Sequence, residues 1–206
     1  MEDNLNQENS SQELKKDSPV KKYLRLAWDF LAIIIVAALI VVPIRYFLFQ
    51  PFIVKGESMV PNFHDKDYLI VDELSYRIWQ PQRGDVVILD FPLDESQKFI
   101  KRIIGLPGET VKIKNNIIKI FRDGQEMIID EKQYLPNVVT DGDVAVTLGE
   151  DEYFVLGDNR EFSFDSRRWF DLNGKPITLK KSEIVGKAFI RLYPFSDISV
   201  IKTPTY

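Results

Sequence analysis

Three short segments carry the residues that could do chemistry. Gly56-Glu57-Ser58-Met59-Val60-Pro61 presents a hydroxyl between turn-forming residues. Phe99-Ile100-Lys101-Arg102-Ile103-Ile104-Gly105-Leu106-Pro107-Gly108-Glu109 sets two cations in an apolar run. Gly157-Asp158-Asn159-Arg160-Glu161-Phe162-Ser163-Phe164-Asp165-Ser166-Arg167-Arg168 is dense in carboxylates, hydroxyls and guanidinium groups. A serine hydroxyl becomes a useful nucleophile only when a nearby base takes its proton. The chain has one histidine, His64, so a Ser-His-Asp triad has a single candidate and a multi-histidine metal site has none. It has no cysteine, which removes thiolate nucleophiles, disulfides and zinc–cysteine sites together. An enzyme built from this chain must find its base elsewhere.

Each segment also has a plain structural reading. A serine between glycine and proline is ordinary turn chemistry. A lysine in an apolar strand can guard a sheet edge against aggregation. Adjacent Lys101 and Arg102 point to opposite faces of a strand, so Lys101 is directed to the side that Ile100, Arg102 and Ile104 do not occupy. The third segment follows the apolar run Tyr153-Phe154-Val155-Leu156. Polar loops beside such strands either tie themselves together with ion pairs or support a site.

The elements that must position these residues follow from the patterning. Residues 1–27 are read as a disordered tail, because the first twenty are polar and carry no aromatic side chain. Residues 28–49 are read as a transmembrane helix: no charge interrupts Phe30 to Ile44, and apolar character resumes past Arg45. A bilayer core of ~30 Å asks for about 20 helical residues. No polar face marks a buried core helix, and the bulky Tyr46-Phe47-Leu48-Phe49 does not suit a signal-peptide cleavage site. Lys15, Lys16, Lys21, Lys22 and Arg25 precede the span, which puts the N-terminus in the cytoplasm and residues 50–206 outside. That remainder, of ordinary domain size, consists of short β-branched and aromatic runs punctuated by Gly, Pro, Asn and Asp. Asn115-Asn116 and Asp123-Gly124 read as hairpin turns. The expected fold is all-β, mainly antiparallel, with a smaller insertion at about residues 114–150. A net charge of -4 over 206 residues shows no basic excess for nucleic acid.

Taken together and in this order, the three segments resemble the bacterial type I signal peptidases. Those proteins carry a serine in a G-x-S-M-x-P context, a lysine in an I-K-R-x-I-G-x-P-G-[DE] context and a later G-D-N-R…S-x-D-S-R segment. Ile184-Val185-Gly186-Lys187-Ala188 and Leu192-Tyr193-Pro194-Phe195 fit the family's ending. The resemblance spans roughly residues 25–196. It implies Ser58 as nucleophile and Lys101 as general base, with burial lowering a lysine pKa that is ordinarily about 10.4. It implies that Ser163 hydrogen-bonds and orients Lys101, that Asp165 pairs with Arg167, and that Asp158 and Arg160 hold the loop. It implies secreted preproteins as substrates, cleavage after small residues, residence in the plasma membrane in contact with lipid, and no metal or organic cofactor. A monomer is expected.

The chain departs from the family pattern in places. Gly56 stands where some members have a hydroxyl that helps bind the oxyanion, which leaves the Ser58 N–H and a neighbouring N–H. Asn62 stands where threonine is common, and Glu161-Phe162 replaces the usual Asp or Asn pair. From nearness to Ser58 alone, Ile53, Val54 and Met59 are expected to line the substrate groove. Two other readings stay open: a repressor-type Ser–Lys self-cleaving peptidase, which would need no anchor, and an anchored β-domain that binds envelope proteins without catalysis. His64, beside Asp65 and Asp67, stays open as an alternative base.

Overall fold

The computed structural model describes residues 19–47 and 49–206, and the chain divides into two units after Ile44. The first contains most of a long helix, α1 (Pro19–Phe47), within which Val20–Val41 is long and apolar enough to cross a membrane. The expected tail lies outside the described residues up to residue 18. From Pro19 onward it is corrected: the helix starts well before residue 28 and takes in Lys21, Lys22 and Arg25. Lysine and arginine are good helix formers, and proline suits a first helical position. The far boundary also moves, since Phe49 already belongs to a strand.

The second unit is built from two antiparallel sheets. The larger holds β1 (Phe49–Ile53), β2 (Tyr68–Asp72), β3 (Val86–Phe91), β4 (Asp94–Gly105), β9 (Glu152–Leu156), β10 (Leu179–Lys180), β11 (Ile184–Tyr193) and β12 (Ser199–Val200). Its order is β1-β2-β11-β3-β4-β9-β10, with β12 on β11. The smaller sheet has β5 (Thr110–Lys114), β6 (Ile117–Arg122), β7 (Gln125–Ile128) and β8 (Val144–Thr147) in the order β7-β6-β5-β8. The smaller sheet runs from Thr110 to Thr147 and so overlaps the stretch at about 114–150. A single turn of helix, α2 (Ser75–Ile78), was not expected.

Local chemistry sets these elements. Asn115, Asn116, Asp123 and Gly124 have φ of 52°, 63°, 51° and 80°, the left-handed pairs that a two-residue hairpin needs. The turns join β5 to β6 and β6 to β7, in register Lys114↔Ile117 and Arg122↔Gln125. β3 is apolar without alternation from Val86 to Leu89 because both its faces are covered there. Val87 and Leu89 pack with Ile103, Val155 and Trp169, while Val86 and Ile88 pack with Met59, Leu69, Val71 and Ile100. β4 lies between β3 and β9 in the sheet order, and Lys101 is buried rather than solvated at an edge, which overturns its edge-guard reading. Only its end pairs with β9, from Arg102 to Gly105; among the described residues, Asp94 to Lys101 have a strand partner on the β3 side alone.

Candidate active site

Ser58 and Lys101, forty-three positions apart in the chain, meet in a hydrogen bond: Lys101 Nζ donates to Ser58 Oγ at 2.8 Å. β4 brings the lysine there. Register with β3 sets Lys101 opposite Val87, and alternation puts it on the same face as Phe99 and Ile103. The side chain lies over the Phe99 ring, 5.2 Å from its centroid, and the residue is only 3 % exposed. Burial disfavours the ammonium form and pulls the pKa down to about 8, against the opposing pull of Asp165 and Asp158. An amine in this setting can be neutral near physiological pH and hold a hydroxyl proton.

Ser58 sits in the turn that follows β1, and the third segment fixes it. Asn159 N–H donates to the Ser58 carbonyl at 3.0 Å, and Asn159 Nδ2 donates to the Glu57 carbonyl at 3.0 Å. Gly157 passes so close that a Cβ there would collide with Ser163 Oγ and with the Ser58 carbonyl oxygen. Gly56 has φ +83° and donates its N–H to Asp65 Oδ1 at 2.9 Å. The position that lacks a side-chain oxyanion donor is thus one whose backbone favours glycine, and its own N–H is committed. Among the described residues the Ser58 N–H has no acceptor.

The loop after β9 is held by buried ion pairs. Asp158 accepts from Arg102 Nε at 2.8 Å and Nη2 at 2.6 Å, a fork that ties the loop to the other face of β4. Asn62 Nδ2 adds a bond to Asp158 at 2.8 Å. Asp165 accepts from Arg167 Nε at 2.9 Å, Arg167 Nη2 at 3.0 Å and the Gly157 N–H at 3.0 Å. Arg160 is buried against Glu131 and donates through Nε to the Gly157 carbonyl at 3.0 Å. Asp165 thus pairs with Arg167, while Asp158 and Arg160 tie the loop to β4 and to Glu131. The hydrogen bond expected from Ser163 to Lys101 is not formed: Ser163 Oγ is buried without a partner among the described residues.

A cavity of about 890 Å³ opens above the pair. Its walls are β1 and the turn after it, β4 from Ser96 to Lys101, and the loop residues Phe162 and Phe164. Ile53 lines it and is half-exposed. Val54 and Met59 do not. Each is 1 % exposed and belongs to the core with Leu69, Val71 and Ile88. The correction follows from strand alternation, since Ile53 and Val54 face opposite ways, and from Met59 turning inward, where its sulfur accepts the Asp158 N–H at 3.4 Å. His64 is exposed and is not among the cavity residues.

Sequence reasoning missed Arg102, Asn62, Glu131 and the aromatic wall Phe99, Phe162 and Phe164. Arg102 had a signal, a cation opposite Lys101 in phase. Glu131 had none, because it lies in a loop whose composition says only that it is exposed. Among the described residues no group of His, Asp and Glu side chains could hold a metal ion.

Known proteins bear on this arrangement. The chain is 36% identical over 197 residues to a signal peptidase I of Bacillus amyloliquefaciens, covering 91% of this chain and 98% of that one. It is 34% identical over 193 residues to a probable signal peptidase I-1 of Synechocystis, covering 88% of this chain and 90% of that one. A crystal structure of a signal peptidase I from Enterococcus faecalis is 31% identical, covers 53% of this chain and 97% of that one, and superposes with a TM-score of 0.40. Because the family model described as signal peptidase, peptidase S26, matches residues 27–193, the chain belongs to that family.

Proposed function

We propose that this protein is a membrane-anchored serine endopeptidase that removes signal peptides from exported preproteins, with Ser58 as nucleophile and Lys101 as general base. One observation carries the assignment of roles: the 2.8 Å bond between a buried, pKa-lowered lysine and the serine hydroxyl. Neutral Lys101 accepts the Ser58 proton as Oγ attacks the scissile carbonyl carbon. The oxygen that becomes negative is met by the Ser58 N–H. The resulting ammonium returns its proton to the leaving amine, and the C–N bond breaks. Water then attacks the acyl-enzyme as Lys101 takes its proton; the bond from the carbonyl carbon to Oγ breaks, and the ammonium returns that proton to Ser58.

The cavity suits an extended peptide. Among the described residues β1 has a partner on one side only, and β4 from Asp94 to Lys101 likewise, so two strands offer unpaired backbone groups along its walls. Small residues before the cut would let the peptide backbone approach Ser58 closely, whereas large ones would clash. The basic residues of the N-terminal flank favour a single span with the N-terminus in the cytoplasm and the catalytic unit on the outer side. Lipid contact is confined to α1 in this reading, the protein acts as a monomer, and nucleic acid has no part.

The test is cleavage of a preprotein by the detergent-solubilised wild type, by Ser58→Ala and by Lys101→Ala. The reading expects cutting after a small residue by the wild type alone. A folded but inert wild type would favour a binding module. Equal cutting by Lys101→Ala would displace the assigned base.

A further inference from the structure

We infer that Phe162 is a specificity-determining residue, an aromatic wall of the cavity that takes one apolar side chain of the peptide close to the cut. This rests on the peptidase reading and adds to it a preference beyond small residues.

Phe162 is 73 % exposed although it lines the same cavity as Ser58 and Lys101. The residues that line this cavity with it include the polar Lys55, Glu57, Ser96, Gln97 and Lys98. An aromatic ring left open among such groups gains by being covered, and burial of its face by an apolar side chain is the contact that supplies the gain. The other two rings of the wall are already committed. Phe164 meets Phe91 edge-on with centroids 5.8 Å apart, and Phe99 stacks on Phe91 at 4.7 Å. Phe162 has no ring partner among the described residues.

The backbone beneath Phe162 is held in place. Arg160 is pinned by Glu131, its carbonyl accepts from Arg167 Nη2 at 2.6 Å, and Ser163 is buried. The ring is therefore presented from a fixed pedestal, with only its own two side-chain torsions left to order on contact. A rigid aromatic at the rim of a peptide-sized cavity discriminates between side chains, and one methylene-scale contact of this kind is worth about tenfold or more in kcat/KM.

The test uses the detergent-solubilised full chain and water-soluble peptides spanning one cleavage site. Positions from three before to two after the scissile bond are changed singly to Ala, Leu, Phe or Asp. The wild type should favour Leu or Phe over Asp at one position by about tenfold. Phe162→Asn should erase that preference at that position, and Phe162→Leu should keep most of it. Val139→Asn, an exposed apolar residue not among those that line the cavity, serves as control and should keep the wild-type profile.

An unchanged profile in Phe162→Asn overturns the inference, as does an equal loss on every peptide, which would mark a structural role. A wild type that cuts with no such preference overturns it while leaving the peptidase reading intact. A wild type that cuts nothing defeats that reading and this one with it. A defect confined to bilayer-embedded preproteins would assign Phe162 to lipid instead.

Discussion

Lys101 has a pKa of about 8 where its ordinary value is 10.5, and the cause is burial. Only the neutral amine can take a proton, so kcat/KM should climb with pH and level off above about 8, as a pH–rate profile on a soluble peptide would show. The same shift acts on stability. Between the folded and unfolded pKa values the unfolded chain binds more protons, so stability rises with pH from about 8 to about 10.5 and is lower by a constant amount below that window. Lys101→Met removes the penalty. It should abolish cleavage while stabilising the fold at pH 7 by up to ~3 kcal/mol, read from urea unfolding of the two proteins. A destabilised Lys101→Met would mean that the Ser58 bond outweighs the cost of burying the amine. The serine and lysine were legible in the sequence because their local contexts are distinctive. Val54 and Met59 were misassigned because closeness in sequence to Ser58 does not fix which way a side chain faces.

β4 carries opposite duties on its two faces, the reactive lysine on one and the Arg102–Asp158 fork on the other. Removing Asp158 leaves a buried guanidinium without its carboxylate. Asp158→Ala should cost about 3–5 kcal/mol in chemical denaturation, with part of the loss recovered when Arg102 is also changed to Met. At the end of β4, Gly105 meets Val111, Leu148 and the Phe154 Cβ so closely that no Cβ fits without movement. Gly105→Ala should cost about 1–3 kcal/mol by the same assay. At this scale the sequence was readable wherever a local pattern decides: the hairpin turns at Asn115-Asn116 and Asp123-Gly124, and the β-branched runs that became β2, β3, β5, β6 and β11. β1 was legible only in part, because its first residues continue the apolar character of the helix before it. The contacts of Asn62 and Glu131 were illegible because each partner lies many residues away, with no periodicity to connect them.

For the molecule as a whole, the anchor and the catalytic unit should be separable. Residues 49–206 contain both sheets and all three apolar cores. Produced without α1, this unit should fold with one cooperative transition and cut a soluble peptide, while turnover of a bilayer-embedded preprotein falls on the order of 10²-fold through loss of effective concentration. Retained turnover on the embedded substrate would show that the anchor contributes no encounter advantage. Composition had already excluded disulfides and a thiol nucleophile, yet the start of the anchor helix escaped it, since basic residues read as tail and as helix equally well. One consequence of the loop after β9 belongs to descent rather than chemistry. Gly157, Asp158, Arg160, Ser163, Asp165 and Arg167 are buried, whereas Glu161, Phe162 and Phe164 between them, and Arg168 just after, are exposed. A lineage can therefore drift at the second set without disturbing the first, so diverging copies of such a gene could acquire new cargo one exposed side chain at a time while inheriting the reaction unchanged.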